Sequence, residues 1–143
     1  MPIPKPKANE SQRDFMQRCM SDEKMKSEYS EDQRAAICYD EFRTKLASEK
    51  VSFDYDGTLS TEIGKQKAIN YINNGADVYI ISARDSKEGI INVANRLGIP
   101  DSRVYATGSN EAKIEKIKEL GITIHYDNNK DVVDKLPNVG RLI

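Results

Sequence analysis

The hydrophobic positions of this chain follow two patterns, and the first covers residues 11–46. Apolar side chains recur there at intervals of three and four residues, which is the spacing of one face of a helix. The positions that form these stripes are Phe15, Met16, Cys19, Met20, Ala35, Tyr39, Phe42 and Leu46. Ser30 followed by Gln33 is typical of a capping box, which would begin the second of two helices. Residues 1–9 contain three of the five prolines and predict a loose, extended arm.

The second pattern begins at residue 51, where short β-rich runs alternate with amphipathic stretches. The predicted strands are residues 51–53, 78–81, 104–105 and 122–126. Three amphipathic stretches end in a glycine, which allows the positive φ at which many helices stop. These glycines are Gly75, Gly98 and Gly121. Asp85, with Glu88 three residues later, predicts a capped helix start.

This alternation predicts an α/β fold, a Rossmann-like three-layer sandwich with a mostly parallel sheet and helices on both faces. An N-terminal helical segment precedes the sandwich. We therefore divide the chain into residues 1–48, an arm with helices, and residues 49–143, the α/β domain.

Three of the predicted strands end at a polar residue, namely Asp54, Ser82 and Asp127. The carboxyl ends of parallel strands lie along one edge of the sheet, so these side chains should converge although they are distant in sequence. Two carboxylates and a hydroxyl suit a magnesium ion and a phosphoryl group, because Mg²⁺ prefers hard oxygen ligands. The pattern thus predicts a phosphate-binding site with Mg²⁺ as its cofactor.

Composition and charge narrow the choice of partners and compartment. The 22 basic and 23 acidic side chains give a formal net charge of -1, which argues against broad electrostatic binding to nucleic acid or to an anionic membrane. No apolar run approaches the roughly 20 residues of a membrane helix, and the first ten residues lack the apolar stretch of a secretory signal. Cys19 and Cys38 are too few for a disulfide scaffold. We therefore expect reduced, half-buried thiols in a cytoplasmic protein, with a Cys19–Cys38 bridge as the alternative.

The first predicted strand continues into a specific motif. It reads Val51-Ser52-Phe53-Asp54-Tyr55-Asp56-Gly57-Thr58-Leu59. The DxDGT(L/V) pattern in it resembles the first motif of the haloacid dehalogenase (HAD) superfamily of phosphohydrolases. Three further matches follow in the order of the family's motifs: Ser82, Lys113 and Asp127. The resemblance covers residues 51–136.

The resemblance implies catalytic roles for these residues. Asp54 would be the nucleophile that forms an aspartyl phosphate, and Asp56 would protonate the leaving oxygen and then activate water. Mg²⁺ would be held by the carboxylates of Asp54 and Asp127 and by the backbone carbonyl of Asp56. Together with Lys113, the cation would offset the repulsion between the nucleophile and the phosphate.

The resemblance also implies a phosphate-binding set. Ser82 and the backbone amides beside it, at Ala83 and Arg84, would orient the phosphoryl oxygens, and Thr58 would help to hold the turn next to them. The sequence S-x-R at positions 82–84 also resembles the second motif of polynucleotide 3′-phosphatases, in which the arginine contacts phosphate bidentately. A surface charge is an equally good explanation of Arg84.

The assignments of the third-motif lysine and of the histidine each have an alternative. Lys116 and Lys118 compete with Lys113 for the third motif, although Lys113 lies nearest the start of its helix. His125 is the one histidine in the chain, and we expect it to line the wall of the cleft without ligating a metal.

The fourth motif departs from the commonest family pattern, because Asn128 and not a second acid follows Asp127. The next acid is Asp131, and its D-x-x-x-D spacing is also known in the superfamily. Asp131 is therefore a further candidate for the metal site, with capping of the following helix as its alternative.

HAD relatives usually select substrates with a cap domain inserted between the motifs. The intervals 58–82 and 82–113 hold only the predicted strands, helices and turns, so the resemblance is to the cap-less type with an open site. We expect a phosphorylated substrate, either a small molecule or a nucleic-acid end, and nucleotide or polynucleotide 3′-phosphate ends are the specific candidates.

The N-terminal residues 10–43 resemble a segment of tailed-bacteriophage proteins, in the stretches at residues 18–20 and 33–39. The resemblance implies a phage-encoded protein in the host cytoplasm, with a protein partner bound through residues 10–47. Helices that pack on the chain's own domain are the alternative.

Two classes of function follow. The first is a HAD-type phosphatase, and the second is a catalytically silent interaction or virion-associated protein that docks through its N-terminal helices. Because a binding module has no need of the general acid Asp56, the intact motifs favour the enzyme. A phosphoacceptor receiver domain is set aside, since its acidic cluster and phosphorylated aspartate would fall on different strands.

Overall fold

The computed structural model describes residues 3–7 and 10–143, apart from the side chains of residues 46–48. The chain divides into two compact units, Met1–Ala47 and Ser48–Ile143. The predicted arm at residues 1–9 lies partly outside the described residues, and so does the side chain of Leu46 in the predicted apolar stripe. No helix in the described part of the chain has the length and apolar character needed to cross a membrane.

The described part of the first unit contains three helices instead of the predicted two. They are α1 (Gln12–Met20), α2 (Glu23–Glu28) and α3 (Glu31–Ser48). The additional break arises at Asp22, whose side chain accepts a hydrogen bond from the backbone amide of Met25 and thereby begins α2. The predicted capping box is confirmed at the start of α3, where Ser30 and Gln33 exchange side-chain to backbone hydrogen bonds.

The described part of the arm is attached to these helices and does not lie loose as predicted. Lys5 forms an ion pair of 2.7 Å with Glu41 of α3, and its carbonyl accepts a hydrogen bond from Arg18 of α1. Ile3 packs against the small core of this unit, which is built around Phe15, Met25 and Phe42. The proline-rich composition gave no indication of these contacts.

The expectation of reduced cysteines is wrong in this structure, because Cys19 and Cys38 form a disulfide. Both residues are fully buried, on α1 and α3, within the core of the first unit. A unit of this size buries little apolar surface, so a covalent link between two helices adds stability that its core does not supply. The pairing depends on a contact between two helices, which sequence spacing does not reveal.

The second unit is built on a five-stranded parallel sheet. The strands are β1 (Lys50–Phe53), β2 (Asp77–Ser82), β3 (Val104–Ala106), β4 (Ile124–Asp127) and β5 (Gly140–Leu142). Their order across the sheet is β3-β2-β1-β4-β5, and every pair is parallel. The four predicted strands are confirmed to within two residues at each end. The short edge strand β5 was not predicted, since its three residues have no apolar alternation and pair with β4 through the backbone.

Helices cover both faces of the sheet, as the alternation predicts. They are α4 (Glu62–Asn73), α5 (Ile90–Leu97), α6 (Asn110–Glu119) and α7 (Lys130–Asp134). Val78 and Ile80 face the core beneath α4 and α5, whereas Ile81, the next residue, faces the core beneath α6 and α7. The result is a Rossmann-like three-layer α/β sandwich.

The predicted helix ends are confirmed, and one predicted start is wrong. Gly75, Gly98 and Gly121 all have positive φ, between 69° and 85°. The helix expected after Asp85 begins instead at Ile90, and no side chain caps it. The expectation is wrong here because local polar residues mark a turn without fixing where the next element begins.

Reducing the Cys19–Cys38 bond is expected to loosen the first unit. The bond joins residues 19 positions apart, and opening a loop of this size lowers the free energy of unfolding by about 3 kcal/mol in the chain-entropy model. Amides of α1 and α3 should then exchange about 100-fold faster, since every 1.4 kcal/mol is a factor of ten. Hydrogen exchange of the full chain with and without reductant measures this, with the amides of β1 and β2 as internal reference.

The double variant Cys19→Ser/Cys38→Ser is the control, and it should exchange at the fast rate in both buffers. The stabilising role of the disulfide is refuted if thiol titration shows that it is completely reduced while the amides of α1 and α3 remain as protected from exchange as before.

Candidate active site

The candidate site lies where the strand order of the sheet reverses. The chain adds β2 and β3 on one side of β1, and then β4 and β5 on the other. At such a point the loops at the carboxyl ends diverge and leave a crevice. Asp54 directly follows β1, and its backbone amide donates a 2.9 Å hydrogen bond to the carbonyl of Tyr126 on β4. Asp127 ends β4, so the structure brings the two carboxylates to the same crevice.

A lysine ammonium lies between these two carboxylates. Lys113 Nζ donates to Asp54 Oδ1 at 2.9 Å and to Asp127 Oδ2 at 3.0 Å. The three side chains are 2%, 6% and 0% exposed, respectively. Lys113 reaches the site from the first turns of α6, where Ser109 caps the helix by accepting a hydrogen bond from the Ala112 amide. By contrast, Lys116 pairs with Glu119 on the outer side of the same helix.

Burial and charge act differently on the two carboxylates. Burial raises the pKa of Asp54 above its ordinary value, and the hydrogen bond from Lys113 only partly offsets this effect. Burial also opposes ionisation of Asp127, but hydrogen bonds from His125 and from the backbone amide of Asn129, together with Lys113, outweigh it and lower the pKa of Asp127. Asp127 is therefore the more firmly ionised partner of the lysine.

The segment Tyr55–Leu59 turns the chain sharply away from β1. The amides of Leu59 and Ser60 donate to the carbonyls five residues earlier, of Asp54 and Tyr55. Gly57 has a φ of 74°, and a Cβ at this position would lie 2.2 Å from the side-chain amide group of Asn128. Only glycine fits both the positive φ and this close approach. The turn places Asp56 at the rim of the crevice.

Arg84 binds Asp56 bidentately across the crevice. Its Nε donates to Asp56 Oδ2 at 2.8 Å and its Nη2 to Asp56 Oδ1 at 2.6 Å. The guanidinium also stacks over the ring of Tyr55, 5.0 Å from its centre. This hydrogen bonding holds the pKa of Asp56 below its ordinary value, since the charged form of the carboxyl is favoured. Arg84 is thus a partner of Asp56 in the ligand-free structure.

These side chains surround a pocket of about 490 Å³ that is open to solvent. Its lining contains three acids, three bases, three asparagines and one alanine: Asp54, Asp56, Asp127, Arg84, Lys113, Lys130, Asn110, Asn128, Asn129 and Ala83. Six of the nine residues predicted for the site are in this lining. The three exceptions are Thr58, Ser82 and Asp131.

Each exception has a structural reason. Ser82 is 1% exposed, and its hydroxyl accepts a hydrogen bond from the backbone amide of Arg84, which fixes the turn after β2. Thr58 is fully buried, and its hydroxyl has no hydrogen-bond partner among the described residues. Asp131 is exposed in the first turn of α7, where its amide donates to the capping side chain of Asn129. Asn129 therefore caps this helix, a role that the sequence had suggested for Asp131.

His125 does not line the wall of the cleft, in contrast to the expectation. It is fully buried, and its two ring nitrogens contact Ser52 Oγ at 2.6 Å and Asp127 Oδ2 at 3.0 Å. Ser52 and His125 stand directly opposite each other on β1 and β4. Each precedes a site aspartate by two residues, and this strand periodicity is the signal that could have revealed the pair.

The oxygen atoms of the pocket fit a divalent cation. The side-chain nitrogen of Asn128 donates to the carbonyl oxygen of Asp56 at 3.2 Å and to Asp54 Oδ2 at 3.3 Å. The two oxygens that share this nitrogen are hard ligands of the kind that a divalent cation prefers. Asp127 Oδ1 accepts one hydrogen bond, from the Asn129 amide, and keeps a further lone pair.

The oxygen atoms that could ligate a cation in this pocket come from different chemical groups. Among the described residues no three His, Cys, Asp or Glu side chains form a metal-ligating group. The set combines carboxylates with a backbone carbonyl, and such oxygen ligands suit a hard cation that retains waters, as Mg²⁺ does.

Comparison with solved structures finds a distant neighbour, a protein from Vibrio cholerae that is described provisionally as a 3-deoxy-D-manno-octulosonate 8-phosphate phosphatase. The similarity covers 71% of this chain and 79% of that chain, with 17% sequence identity and a TM-score of 0.43. No family model and no curated protein matches the chain. A likeness this distant carries no argument about activity, so the functional proposal rests on the residues of the pocket.

Proposed function

We propose that this chain is a Mg²⁺-dependent phosphomonoester hydrolase that acts through an aspartyl-phosphate intermediate. The observation that carries the proposal is the buried Asp54 carboxylate, held by Lys113 at 2.9 Å and open on its other side to a solvent-filled pocket. The resemblance of residues 51–136 to the HAD motifs supports the same chemistry. A binding module would gain nothing from a buried nucleophile paired with a cation.

In the proposed reaction, the carboxylate of Asp54 attacks phosphorus and the ester oxygen leaves with a proton from Asp56. Asp56 then takes a proton from water, which attacks the aspartyl phosphate and releases inorganic phosphate. Lys113 keeps Asp54 oriented and offsets part of its negative charge as the phosphate dianion approaches. The Gly57 turn is what lets both carboxylates address one phosphorus atom.

Magnesium fits the donor atoms of the pocket. The carboxylates of Asp54 and Asp127 and the backbone carbonyl of Asp56 would hold it. Asp131, the further candidate, does not line the pocket. When bound, the cation neutralises charge that develops on the transferring phosphoryl group.

The substrate is proposed to be a phosphorylated small molecule or a nucleic-acid end. Within residues 49–143, which the structure describes in full, the loops after β1 and β2 carry no inserted cap domain. An open pocket admits a large leaving group, which keeps nucleotide and polynucleotide 3′-phosphate ends among the candidates. We propose that Arg84, at the rim, releases the carboxylate of Asp56 and binds the incoming phosphate. Both anions can accept the two parallel hydrogen bonds of its guanidinium.

Replacing the nucleophile is the direct test of the activity. Asp54→Asn should lower turnover by roughly 10³-fold or more, because an amide cannot form the acyl phosphate. The assay screens nucleoside monophosphates, sugar phosphates, phosphopeptides and 3′-phosphorylated oligonucleotides with Mg²⁺. Asp101→Asn, an exposed carboxylate in the turn before β3, is the matched control and should keep full activity.

Turnover that survives Asp54→Asn would refute the covalent mechanism. An inactive wild type on every substrate would instead favour the non-enzymatic binding protein.

Cation binding tests the proposed donor set without an assay of turnover. Asp54→Asn should weaken Mn²⁺ binding roughly tenfold or more, and Asn128→Asp should strengthen it, because ligand charge tunes the affinity of such sites. Titration of the full chain with Mn²⁺, followed by electron paramagnetic resonance of the free ion, gives both constants. Equal Mn²⁺ affinities in the wild type and Asp54→Asn would show that Asp54 is not a ligand of the cation.

The contact between Arg84 and Asp56 can be tested by titration of a single carboxyl. Arg84→Gln should raise the pKa of Asp56 toward its ordinary value of 3.8, because the hydrogen bonds from the guanidinium are the main cause of its lowering. Asp56 would then stay protonated to higher pH. Carbon-13 NMR of the metal-free chain measures the shift.

The control for this titration is Arg103→Gln, which breaks a comparably exposed ion pair, with Asp77 on β2. It should leave the Asp56 pKa unchanged. The same pKa in Arg84→Gln and the wild type would show that the bidentate contact does not persist in solution.

A further inference from the structure

A chain of buried polar groups continues inward from the candidate site, beyond the residues that the proposed reaction uses. Lys113 and His125 both contact Asp127 Oδ2 at 3.0 Å, and the other ring nitrogen of His125 contacts Ser52 Oγ at 2.6 Å. Ser52, His125 and Asp127 are all 0% exposed. None of the inner groups can meet substrate, so neither Ser52 nor His125 is a catalytic residue.

The direction of these hydrogen bonds follows from the donors available. Asp127 is ionised and can only accept, so the proton on His125 must be on Nε2. Nδ1 of a neutral imidazole then has a lone pair, and the hydroxyl of Ser52 donates to it.

The polar side chains of Ser52 and His125 occupy positions where burial of a polar group lowers the stability of the fold. Ser52 and His125 stand opposite each other in neighbouring inner strands of a parallel sheet, where both faces are buried and side chains are usually apolar. A buried hydroxyl or imidazole is destabilising unless it is hydrogen-bonded. Here each group is satisfied, and the hydrogen bonds lead to one place, the inner oxygen of Asp127.

The consequence of this arrangement is a fixed carboxylate. Two donors, the imidazole and the lysine ammonium, converge on Asp127 Oδ2 and hold that oxygen inward. Asp127 Oδ1 consequently turns outward, with one hydrogen bond from the Asn129 amide and one lone pair left. The hydrogen bond from His125 fixes the position of Asp127. Because the ammonium of Lys113 binds Asp127, its position is fixed as well, and the same ammonium binds Asp54.

We propose that His125, held by Ser52, is a positioning residue that orients Asp127 and, through it, Lys113 and the nucleophile Asp54. The role of this pair in the reaction rests on the proposed phosphatase function. The orientation of Asp127 itself does not, and it can be measured in the absence of any substrate.

The first experiment locates the imidazole proton. Because the chain has a single histidine, a ¹⁵N–¹H correlation spectrum of the full-length protein shows one imidazole ring. The expected result is a proton bound to Nε2 that is protected from exchange. A neutral ring with its proton on Nδ1 would overturn the proposal, since Asp127 would then receive no hydrogen bond from it.

The second experiment separates positioning from structural support by substitution. His125→Leu removes the donor, and it should lower kcat about 10- to 100-fold with KM within about twofold, as loss of such supporting hydrogen bonds typically does. His125→Gln retains an N–H near the position of Nε2 and should recover most of kcat. Mn²⁺ affinity should follow the same order, because it depends on the outward oxygen of Asp127.

The matched control is Tyr126→Phe, on the adjacent position of the same strand. It breaks the half-buried 2.9 Å hydrogen bond between Tyr126 and Tyr71 on the opposite face and should leave kcat and Mn²⁺ affinity unchanged. If His125→Leu folds with wild-type kcat and wild-type Mn²⁺ affinity, the proposal is overturned. If His125→Leu does not fold, Ser52→Ala provides the test, and it should reduce the protection of the Nε2 proton.

Failure of the proposed function has a different signature. It would appear as absence of turnover in the wild type on every substrate, with the imidazole proton still on Nε2.

Discussion

The candidate site depends on one buried cation placed between two carboxylates. Lys113 contacts both Asp54 and Asp127, and the three groups are almost wholly shielded from water. Two carboxylates this close would repel each other strongly in a buried environment, and one of them would take up a proton. The ammonium allows both to be present while Asp54 remains accessible from the pocket. Nearly every other feature of the site is an arrangement that keeps these three groups in place.

The parallel sheet supplies that arrangement. The reversal of strand order places the ends of β1 and β4 side by side, and the start of α6 delivers the lysine from the next layer. At Gly57 the backbone then turns away from the crevice, and Asp56 lies at the rim. On the inner side, Ser52 and His125 support Asp127 from within the sheet. The site is thus held by backbone pairing and buried hydrogen bonds, whereas the pair of Arg84 and Asp56 at its rim is exposed.

The first unit is stabilised by a different means. Its core is a handful of side chains centred on Phe15, Met25 and Phe42, closed by the disulfide between α1 and α3. Few apolar contacts and one covalent bond together hold a segment that is otherwise rich in charged residues. A disulfide of this kind is uncommon in reducing compartments, so it weighs against the assumption of a cytoplasmic chain that its small cysteine count had suggested.

The sequence by itself determined the alternation of strands and helices, and therefore the layered parallel fold, because strand and helix periodicities are local properties of the chain. It also determined that Asp54 and Asp127 would meet, since parallel strands share one edge for their carboxyl ends. What only the tertiary structure decided were the contacts across elements: the Cys19–Cys38 bond, the bidentate contact of Arg84 with Asp56, the burial of Ser82 and Thr58, and the position of Asp131 outside the pocket lining. These contacts depend on distances between segments that are far apart along the chain. No periodicity or spacing encodes those distances until the layers are packed.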